Sequence, residues 1–455
     1  AAALTGTASG ALYVWRGAAI REQVPKSHQG PVYAVAAARG RGLYVSGGGD
    51  GAVKVWNGRL DLLKTFELAE MMGDLLLTPA PATLQFGGDP QYETKLLVVA
   101  RSGEMLEVAL ETGSTVLLDE AHANTKASAS ETHGLDPHPT NGDVYATTGD
   151  DGSVRTWSIS RRCCLQRAPP DLLGGAAARC CAWAPDGNRL AVGLGGDPND
   201  RGRDGTLVLL AVHHLESSSS SSSKKLPDVV AEVRKSKAPL SDLKWSADGS
   251  LLVVASEDGR AYVHDGRDGS LRTMCSKAGA PVTAIDLSHD ATTLQAATFA
   301  DELQYYSVQD GSRFTVPANA RDTEWASVTV PFGWRVQGCW KPTPEEDIEN
   351  SALLAADRAP QFLRREYRPH KTWPPAVSTV HRSPDGTLLA KGCVDGTVAV
   401  TNYPTQALGM RMARAPGHGS RIAKVRFTSD MRHLIALGQF NRTITVYALV
   451  GDLAS

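Results

Sequence analysis

Cysteine is scarce in this sequence, and the few cysteines present do not form a disulfide or zinc-binding pattern. The seven residues are Cys163, Cys164, Cys180, Cys181, Cys275, Cys339 and Cys393. Four of them form two adjacent pairs, the other three are isolated, and no C-x-x-C motif occurs. Because an odd count without that spacing is typical of reduced thiols, we expect a cytoplasmic protein whose cysteines pack in its core.

An excess of one charge and a long apolar run are also missing. The 455 residues include 47 Lys and Arg against 49 Asp and Glu, which gives a net charge of −2. This balance excludes a broadly basic nucleic-acid binder. No apolar run is long enough to cross a bilayer, and no signal-peptide pattern opens the sequence. We therefore expect neither nucleic acid nor a membrane as a partner.

The motifs of the common enzyme classes are missing too. The sequence has no glycine-rich phosphate loop of the P-loop or Rossmann type and no G-x-S-x-G elbow. His213-His214 lies near no cysteine or carboxylate pattern with zinc spacing, so we interpret it as a strand end. We predict a protein without catalytic residues, metal or cofactor.

One stretch that is present organises the rest of the chain. Residues 46–56 read SGGGDGAVKVW, in which Asp50-Gly51 supplies a tight turn. The alternation after the turn predicts a half-buried strand that ends at Trp56. The same arrangement, a turn residue followed six positions later by a strand-closing residue, recurs at Ser9, Ser102, Asp151, Asp204, Asp258, Asp395 and Asn441, with a looser copy at Asp301.

The spacing of these turns predicts the fold class. Successive turns lie about 41 to 54 residues apart, except for one gap of about 94 between Asp301 and Asp395. A period in the forties with four strands per repeat is typical of a WD-type β-propeller blade. The long gap is either two blades, one of them degenerate, or one blade with an insertion. We favour an insertion at 341–375 on a propeller face. Trp325, Trp334 and Trp340 just before it predict a well-packed pair of core strands.

Several polar residues fit structural places in such blades. In a WD-type blade, a His before the first strand, a Ser or Thr, the turn Asp and the closing Trp form a buried hydrogen-bonded chain, because buried polar groups must be paired. His28, Ser46, Asp50 and Trp56 fit these places, and we interpret His28 and Asp50 as structural rather than as a catalytic pair. The other residues that we assign to this structural class are Asp151, Trp157, Asp258, Asp395 and His418.

Read in order, the chain begins within a blade. Residues 4–15 supply only the last two strands of a blade, so we expect a piece of a longer protein. Residues 59–110 are predicted to form a blade that has lost its Asp and Trp, and 111–130 suit a passage between two propellers.

Basic residues concentrate at two places. A serine run at 217–223 precedes the first cluster, which consists of Lys224, Lys225, Arg234, Lys235 and Lys237, and a second cluster contains Arg364, Arg365 and Arg368. Each cluster is either a solvated loop or an electrostatic contact with an acidic partner.

Several motifs resemble one family more specifically than the WD repeat. Residues 322–326 (DTEWA), followed by Gly333 and by 338–340 (GCW), resemble the D-x-E-W-A signature of echinoderm microtubule-associated-protein-like proteins. The stretch 417–438 resembles the closing blade of that family, and 402–404 (NYP) its tyrosine-proline strand end. Residues 27–30 and 46–50 are similar to its A-H-E-G and S-G-G-G-K-D motifs. Asn441, where the family has Asp, departs from the pattern.

The resemblance implies two tandem propellers and a role on microtubules. We expect residues 1–118 to be the last blades of a first propeller and residues 119–455 to be a complete second propeller. A non-enzymatic scaffold would bind tubulin, microtubules and other microtubule-associated proteins in the cytoplasm or on a ciliary axoneme. Any oligomerisation would use a region outside this chain. The alternative is a WD-repeat adaptor in a non-cytoskeletal complex, because the fold alone does not select the partner.

Overall fold

The computed structural model describes residues 2–38, 42–72, 80–86, 94–101, 104–119, 122, 131–168, 170–196, 201–212, 227–340, 377–406, 412–415 and 417–450. The chain divides into two compact units, Ala1–Ser130 and Glu131–Ser455. In each unit the described strands form small antiparallel sheets, and most of the strands follow one another in sequence order within their sheet.

Three sheets form the first unit. Their strands are β1 (Ala2–Gly6), β2 (Leu12–Arg16) and β3 (Ala19–Val24); β4 (Val32–Ala38), β5 (Leu43–Gly48), β6 (Ala52–Trp56) and β7 (Leu62–Glu67); and β8 (Pro81–Phe86), β9 (Lys95–Ala100), β10 (Met105–Ala109) and β11 (Thr115–Asp119), with one short helix, α1 (Leu68–Met72), after β7. The prediction that the start of the chain supplies only two strands is wrong, because β3 completes a three-stranded sheet. The predicted blade at 59–110 is also displaced, since β7 belongs to the preceding sheet and β11 extends the next one to Asp119.

The turn between β5 and β6 shows why this local sequence folds as it does. Gly51 has a φ of 83°, a left-handed conformation that glycine adopts without strain. After the turn, Val53 and Val55 are buried while Lys54 is only partly covered. Trp56 pairs in register with Tyr44 on β5. The turn therefore sets the register that buries the apolar positions of β6.

Six sheets form the second unit. Their strands are β12 (Thr132–Pro137), β13 (Val144–Gly149), β14 (Val154–Ser158) and β15 (Cys163–Ala168); β16 (Ala178–Trp183), β17 (Arg189–Leu194), β18 (Thr206–Ala211) and β19 (Asp228–Arg234); β20 (Leu240–Trp245), β21 (Leu251–Ser256), β22 (Ala261–Asp265) and β23 (Leu271–Met274); β24 (Val282–Leu287), β25 (Thr293–Thr298) and β26 (Leu303–Ser307); β27 (Val377–Arg382), β28 (Leu388–Cys393), β29 (Val398–Asn402) and β30 (Ala413–Ala415); and β31 (Ile422–Phe427), β32 (His433–Gly438) and β33 (Ile444–Ala448). Short 3-10 helices occupy Pro170–Leu173, Pro317–Ala320 and Gln337–Trp340.

The first strands of these sheets lie side by side in a ring that is interrupted between β24 and β27. β12 packs beside β16, β16 beside β20, β20 beside β24, and β27 beside β31. β31 returns to β12, and the backbone N–H of Thr132 donates to the carbonyl of Gln439 just after β32, at 3.2 Å. Apolar side chains fill the space between neighbouring sheets; Ala146 and Val154, for example, pack with Leu190 and Val208. This arrangement confirms the prediction of an all-β propeller.

A segment without a sheet completes the ring between β24 and β27. Trp325 forms an isolated bridge with Ser288 next to β24. On the other side, the backbone N–H of Arg382 in β27 donates to the carbonyl of Val328, at 3.1 Å. Residues 325–330 thus stand where the first strand of a seventh blade would be. The predicted pair of tryptophan-rich core strands is wrong, because Trp334 is half exposed and 337–340 form a 3-10 helix. The predicted insertion at 341–375 lies outside the described residues.

Candidate interaction surface

A chain of four hydrogen-bonded side chains supports the turn at Asp50 in the first unit. The indole N–H of Trp56 donates to Ser46 Oγ at 2.8 Å, and Ser46 Oγ lies 2.7 Å from His28 Nε2. His28 Nδ1 lies 2.9 Å from an Asp50 carboxylate oxygen. A Cβ added to Gly48 would collide with both His28 and Asp50, so glycine is required there. Every donor has an acceptor when Nδ1 carries the proton and Ser46 donates to Nε2.

The electrostatics of this chain favour a neutral imidazole. Burial lowers the pKa of His28, although Asp50 opposes that effect. Burial also works against the charge of Asp50, but hydrogen bonds from the Gln29 N–H and from His28 outweigh it and lower the pKa of Asp50. A neutral, fully hydrogen-bonded histidine is a structural element of the blade and has no free group for catalysis.

The equivalent blade of the second unit holds its turn differently. Asp151 accepts hydrogen bonds from the backbone N–H and the hydroxyl of Ser153, at 3.0 and 2.8 Å. The fully buried guanidinium of Arg155 lies 3.5 Å from the same carboxylate. Trp157 keeps its place, and its indole N–H donates to Thr147 Oγ1 at 2.7 Å. A buried cation here supports the Asp that a histidine supports in the first unit.

Asp258 and Asp395 lie at the same turn in two further sheets, with different surroundings. Asp258 accepts hydrogen bonds from the hydroxyls of Ser236 and Tyr262, at 2.7 and 2.6 Å. Asp395 is exposed and holds only Thr397, through the backbone N–H at 2.9 Å and the hydroxyl at 2.7 Å, among the residues that the structure describes. The same turn therefore forms in sheets where the Asp carboxylate has different hydrogen-bond partners.

The last sheet carries a reduced form of the network. His418 Nδ1 lies 2.6 Å from Thr443 Oγ1 and 3.4 Å from Asn441 Nδ2. In the register of this sheet, Ala436 occupies the place of Ser46 and Tyr447 the place of Trp56. The chain of hydroxyl and indole groups is thus absent in this sheet. Burial lowers the pKa of His418 and keeps it neutral.

Side chains on the first strands bind the backbone of the next blade along the chain. In each case the side chain accepts a hydrogen bond from a main-chain N–H of its neighbour. The pairs are Asp136 with Trp183 at 2.8 Å, Asp242 with Ile285 at 3.1 Å, Asp286 with Val330 at 2.8 Å, and His381 with Phe427 at 3.0 Å. Sequence reasoning missed these residues. Their signal is a polar residue at the third or fifth position of a first strand.

Charged side chains from three first strands meet near the axis of the ring. Asp242 lies 3.0 Å from Lys244 Nζ and 3.3 Å from Lys424 Nζ, while Arg426 Nε lies 4.0 Å from Asp136. Burial works against the charge of Asp242, but the two lysines outweigh it and hold its pKa well below the usual range. Asp136 lacks such close cations, and burial raises its pKa. These groups largely compensate one another, so we interpret them as structural.

Three exposed lysines lie at one end of the sheets in the second unit. We call this end the Asp-Gly face, because it carries the turns such as Asp258-Gly259 and the loops that precede each first strand. The N–H of Glu257 in that turn donates to the carbonyl of Pro239 in the preceding loop, at 3.0 Å. The exposed lysines Lys235, Lys237 and Lys277 lie in two adjacent loops of this face. None of the three has a hydrogen bond or an ion pair with another described residue. We call these three residues the basic strip.

The structure distributes the predicted basic residues unevenly. Arg234 is exposed, but its guanidinium donates to the carbonyl of Asp204 at 2.8 Å and therefore also holds its own blade together. Lys235 and Lys237 are free to meet a partner, and Lys277 joins them from a loop that was not singled out in the sequence. The remaining candidates, Lys224, Lys225, Arg364, Arg365 and Arg368, lie outside the described residues.

The described residues contain neither a metal-binding cluster nor a helix that could span a membrane. No group of three or more His, Cys, Asp or Glu side chains there has the geometry to hold a metal ion. None of the helices found among those residues combines the length and apolar character needed to span a bilayer. All seven cysteines are free thiols, and only Cys163 is exposed.

Comparison with known proteins adds the family. The family described as "Echinoderm microtubule-associated protein second beta-propeller" matches residues 132–449, and a WD domain, G-beta repeat, matches residues 21–57. The chain is 25% identical over 442 residues to the 77 kDa echinoderm microtubule-associated protein of Strongylocentrotus purpuratus, covering 96% of this chain and 54% of the relative.

Two further relatives extend the comparison. Echinoderm microtubule-associated protein-like 2 of Mus musculus is 26% identical over 94% of this chain and 56% of its own length. The ciliary WD repeat-containing protein ctxp80 of Euplotoides octocarinatus is 23% identical over 97% of this chain and 54% of its own length. The chain thus spans about half the length of the curated relatives that it matches. Because the family match covers more than half of its residues, the chain belongs to the echinoderm microtubule-associated protein family.

Proposed function

We propose that this chain is a non-enzymatic scaffold that associates with microtubules, and that the basic strip of its second unit contacts tubulin. The observation that carries the proposal is the family match over residues 132–449, the unit that also bears the basic strip. Two of these relatives are named as microtubule-associated proteins, and the third is named as a ciliary protein. The proposal extends these properties to this chain, with the cytoplasmic cytoskeleton or an axoneme as its location.

The electrostatics of the Asp-Gly face support tubulin as a partner. Tubulin presents an acidic surface, and lysines that have no intramolecular partner can pair with it without first breaking another bond. Two of the nearby carboxylates are already used: Glu232 pairs with Arg203 at 2.9 Å, and Asp258 accepts from Ser236 and Tyr262, whereas Glu257 is exposed in the same turn. The basic strip is therefore complementary in charge to the acidic surface of tubulin, although the overall charge of the protein is close to zero.

We also propose how the two units relate to the family architecture. Residues 1–118 would be the last blades of a first propeller, and residues 119–455 would be the second propeller. The three sheets of the first unit form only part of a ring among the described residues, which is compatible with that assignment.

Co-sedimentation with stabilised microtubules across a salt series tests the function. We expect the chain to pellet with microtubules, and its affinity to fall as salt rises, because exposed charge pairs are screened. The double variant Lys235→Gln, Lys237→Gln should bind more weakly and show a shallower salt dependence. The matched control, Arg267→Gln with Arg432→Gln, removes two positive charges from exposed sites at the opposite end of the sheets.

The outcomes separate the alternatives. Equal loss in both double variants would show that only net charge matters and would overturn the assignment to the basic strip. If the chain does not pellet at any salt concentration, and captured partners are non-cytoskeletal complexes, the adaptor alternative would replace microtubule association.

A further inference from the structure

A pocket opens between β26 and the sheet-free segment that completes the ring. It is a shallow depression: the roughly 330 Å³ between its walls includes open solvent, and its closed part has room for little more than one water molecule. Its lining includes Tyr305 from β26, Trp325 and Trp334 from the segment, and Tyr403, which follows β29. Trp325 and Tyr305 are stacked, with ring centroids 6.1 Å apart, and both are buried. The walls of the pocket are therefore mainly aromatic and held rigidly.

Two arginines line the same pocket. The guanidinium of Arg321 lies over the ring of Trp334, with its central carbon 5.7 Å from the ring centroid. Trp334 itself is 50% exposed, so this cation–π pair is accessible to a partner. Arg335 also lines the pocket. Neither guanidinium has a hydrogen bond or ion pair with any other described residue.

The polar groups of the pocket are mostly donors. Its described lining contains arginine, tyrosine and tryptophan side chains and one glutamine, and no Asp or Glu. The hydroxyl of Tyr403 is buried and has no hydrogen-bond partner among the described residues. Arg side chains that keep all five N–H groups free match a carboxylate, which accepts two parallel hydrogen bonds. The exposed carboxylates nearest in sequence, Asp322 and Glu324, do not line the pocket.

We infer that this pocket, which we call the Arg321–Arg335 pocket, is a docking site for an acidic segment of a partner protein that carries an aromatic side chain. The exposed ring of Trp334 would pack against the aromatic side chain at the surface, while the two guanidinium groups would pair with flanking carboxylates. The inference does not depend on microtubule association. The basic strip lies in loops that precede β20 and β24, whereas the pocket is built by residues 295–336 and by Tyr403.

Binding of a labelled peptide to the whole chain tests the inference. The probe is a blocked pentapeptide with a central phenylalanine between two pairs of glutamates. One control peptide replaces the glutamates by glutamines, and another replaces the phenylalanine by alanine. Fluorescence anisotropy at about 0.15 M salt measures affinity where surface charges are already screened over about 8 Å. We expect the probe to bind at least about fivefold more tightly than either control peptide.

Variants locate the binding site. Arg321→Gln and Arg335→Gln should each weaken binding of the probe about five- to tenfold. Trp334→Ala changes a half-exposed side chain, so the fold is retained, and it should weaken binding of the phenylalanine peptide but not of the alanine peptide. Lys277→Gln, which removes a charge from the basic strip, should leave the affinity unchanged within about twofold.

Two results would overturn the inference. If Lys277→Gln weakens binding as much as Arg335→Gln, the peptide binds only through the general charge of the protein. If all three peptides bind alike, or none binds, the pocket does not recognise an acidic aromatic segment. The assay contains no microtubules, so its result is separate from the co-sedimentation result.

Discussion

Asp286 is the residue whose replacement tests the described architecture most directly. This carboxylate on β24 is fully buried and accepts hydrogen bonds from the backbone N–H groups of Thr329 and Val330, each at 2.8 Å. It also accepts from the hydroxyl of Ser327 at 2.7 Å and from the amide of Gln295 at 3.1 Å. One side chain therefore attaches the sheet-free segment to β24. We predict that Asp286→Ala detaches that segment.

The size of the effect follows from the groups that would lose their acceptor. Each of the two backbone N–H groups would be buried without a partner, at a cost of about 1–3 kcal/mol each. Together, the two unpaired N–H groups would cost about 2–6 kcal/mol. We expect a loss of that size in unfolding free energy. Asp286→Asn should lose less, because its amide oxygen can replace the carboxylate oxygen that accepts from both backbone N–H groups, while its NH₂ group faces the hydroxyls of Ser327 and Thr329, which can accept.

Hydrogen exchange measured by mass spectrometry is the suitable assay because it resolves local opening. Peptides that cover residues 282–307 and 325–330 should exchange much faster in Asp286→Ala. Asp322→Ala is the matched control, since Asp322 is exposed in the same part of the chain. If Asp286→Ala changes exchange no more than the control does, the carboxylate does not hold the segment and our account of the seventh position is refuted.

Three further predictions concern other features. Ser46→Ala leaves the indole N–H of Trp56 without its acceptor, so the free energy of opening of residues 43–56 should fall by about 1–3 kcal/mol in hydrogen exchange; a change no larger than that of the exposed Thr65→Ala would contradict it. Burial lowers the pKa of His381 well below its usual value, so the unfolded chain takes up the proton first and stability should fall as pH drops below about 6.5. His381→Asn should reduce that pH dependence of the melting temperature, and an unchanged slope would refute the account. A thiol reagent should modify Cys163 quickly and Cys275 slowly, because burial raises the pKa of Cys275 to about 12; equal rates, followed by peptide mapping, would refute it.

The sequence was sufficient to predict the features that short motifs encode. A turn such as Asp50-Gly51 needs only neighbouring residues, so the sequence predicts the repeat, the sheet class and the turns among the described residues; the predicted turn at 102–103 lies outside them. The partners of those turns were less accessible. Arg155 supports Asp151 and Ser236 supports Asp258, and neither matches the histidine of the repeat pattern. A motif predicts where a buried polar group lies but not which side chain hydrogen-bonds to it or pairs with it.

The sequence did not predict the contacts between residues that lie far apart along the chain. The tryptophans near residue 330 suggested paired strands, because aromatic residues favour strands. In the structure, a carboxylate on β24 holds residues 325–330 as a single extended segment, and no local pattern encodes that long-range bond. The sequence did not indicate Lys277 as a contact residue for a similar reason. It is isolated in sequence and joins Lys235 and Lys237 only when two loops lie side by side.

The hydrogen bonds between successive first strands hold the ring together, whereas the outer strands of each blade take no part in them. Asp136, Asp242, Asp286 and His381 all act on the backbone of a neighbour, and a backbone N–H is present whatever the identity of the side chain. Such joints tolerate sequence change in the receiving blade. Only three strands are found in the described parts of the sheets β24–β26 and β31–β33, and at one position a bare segment replaces the sheet. The periphery of the propeller is therefore open to remodelling into binding surfaces while the ring stays closed.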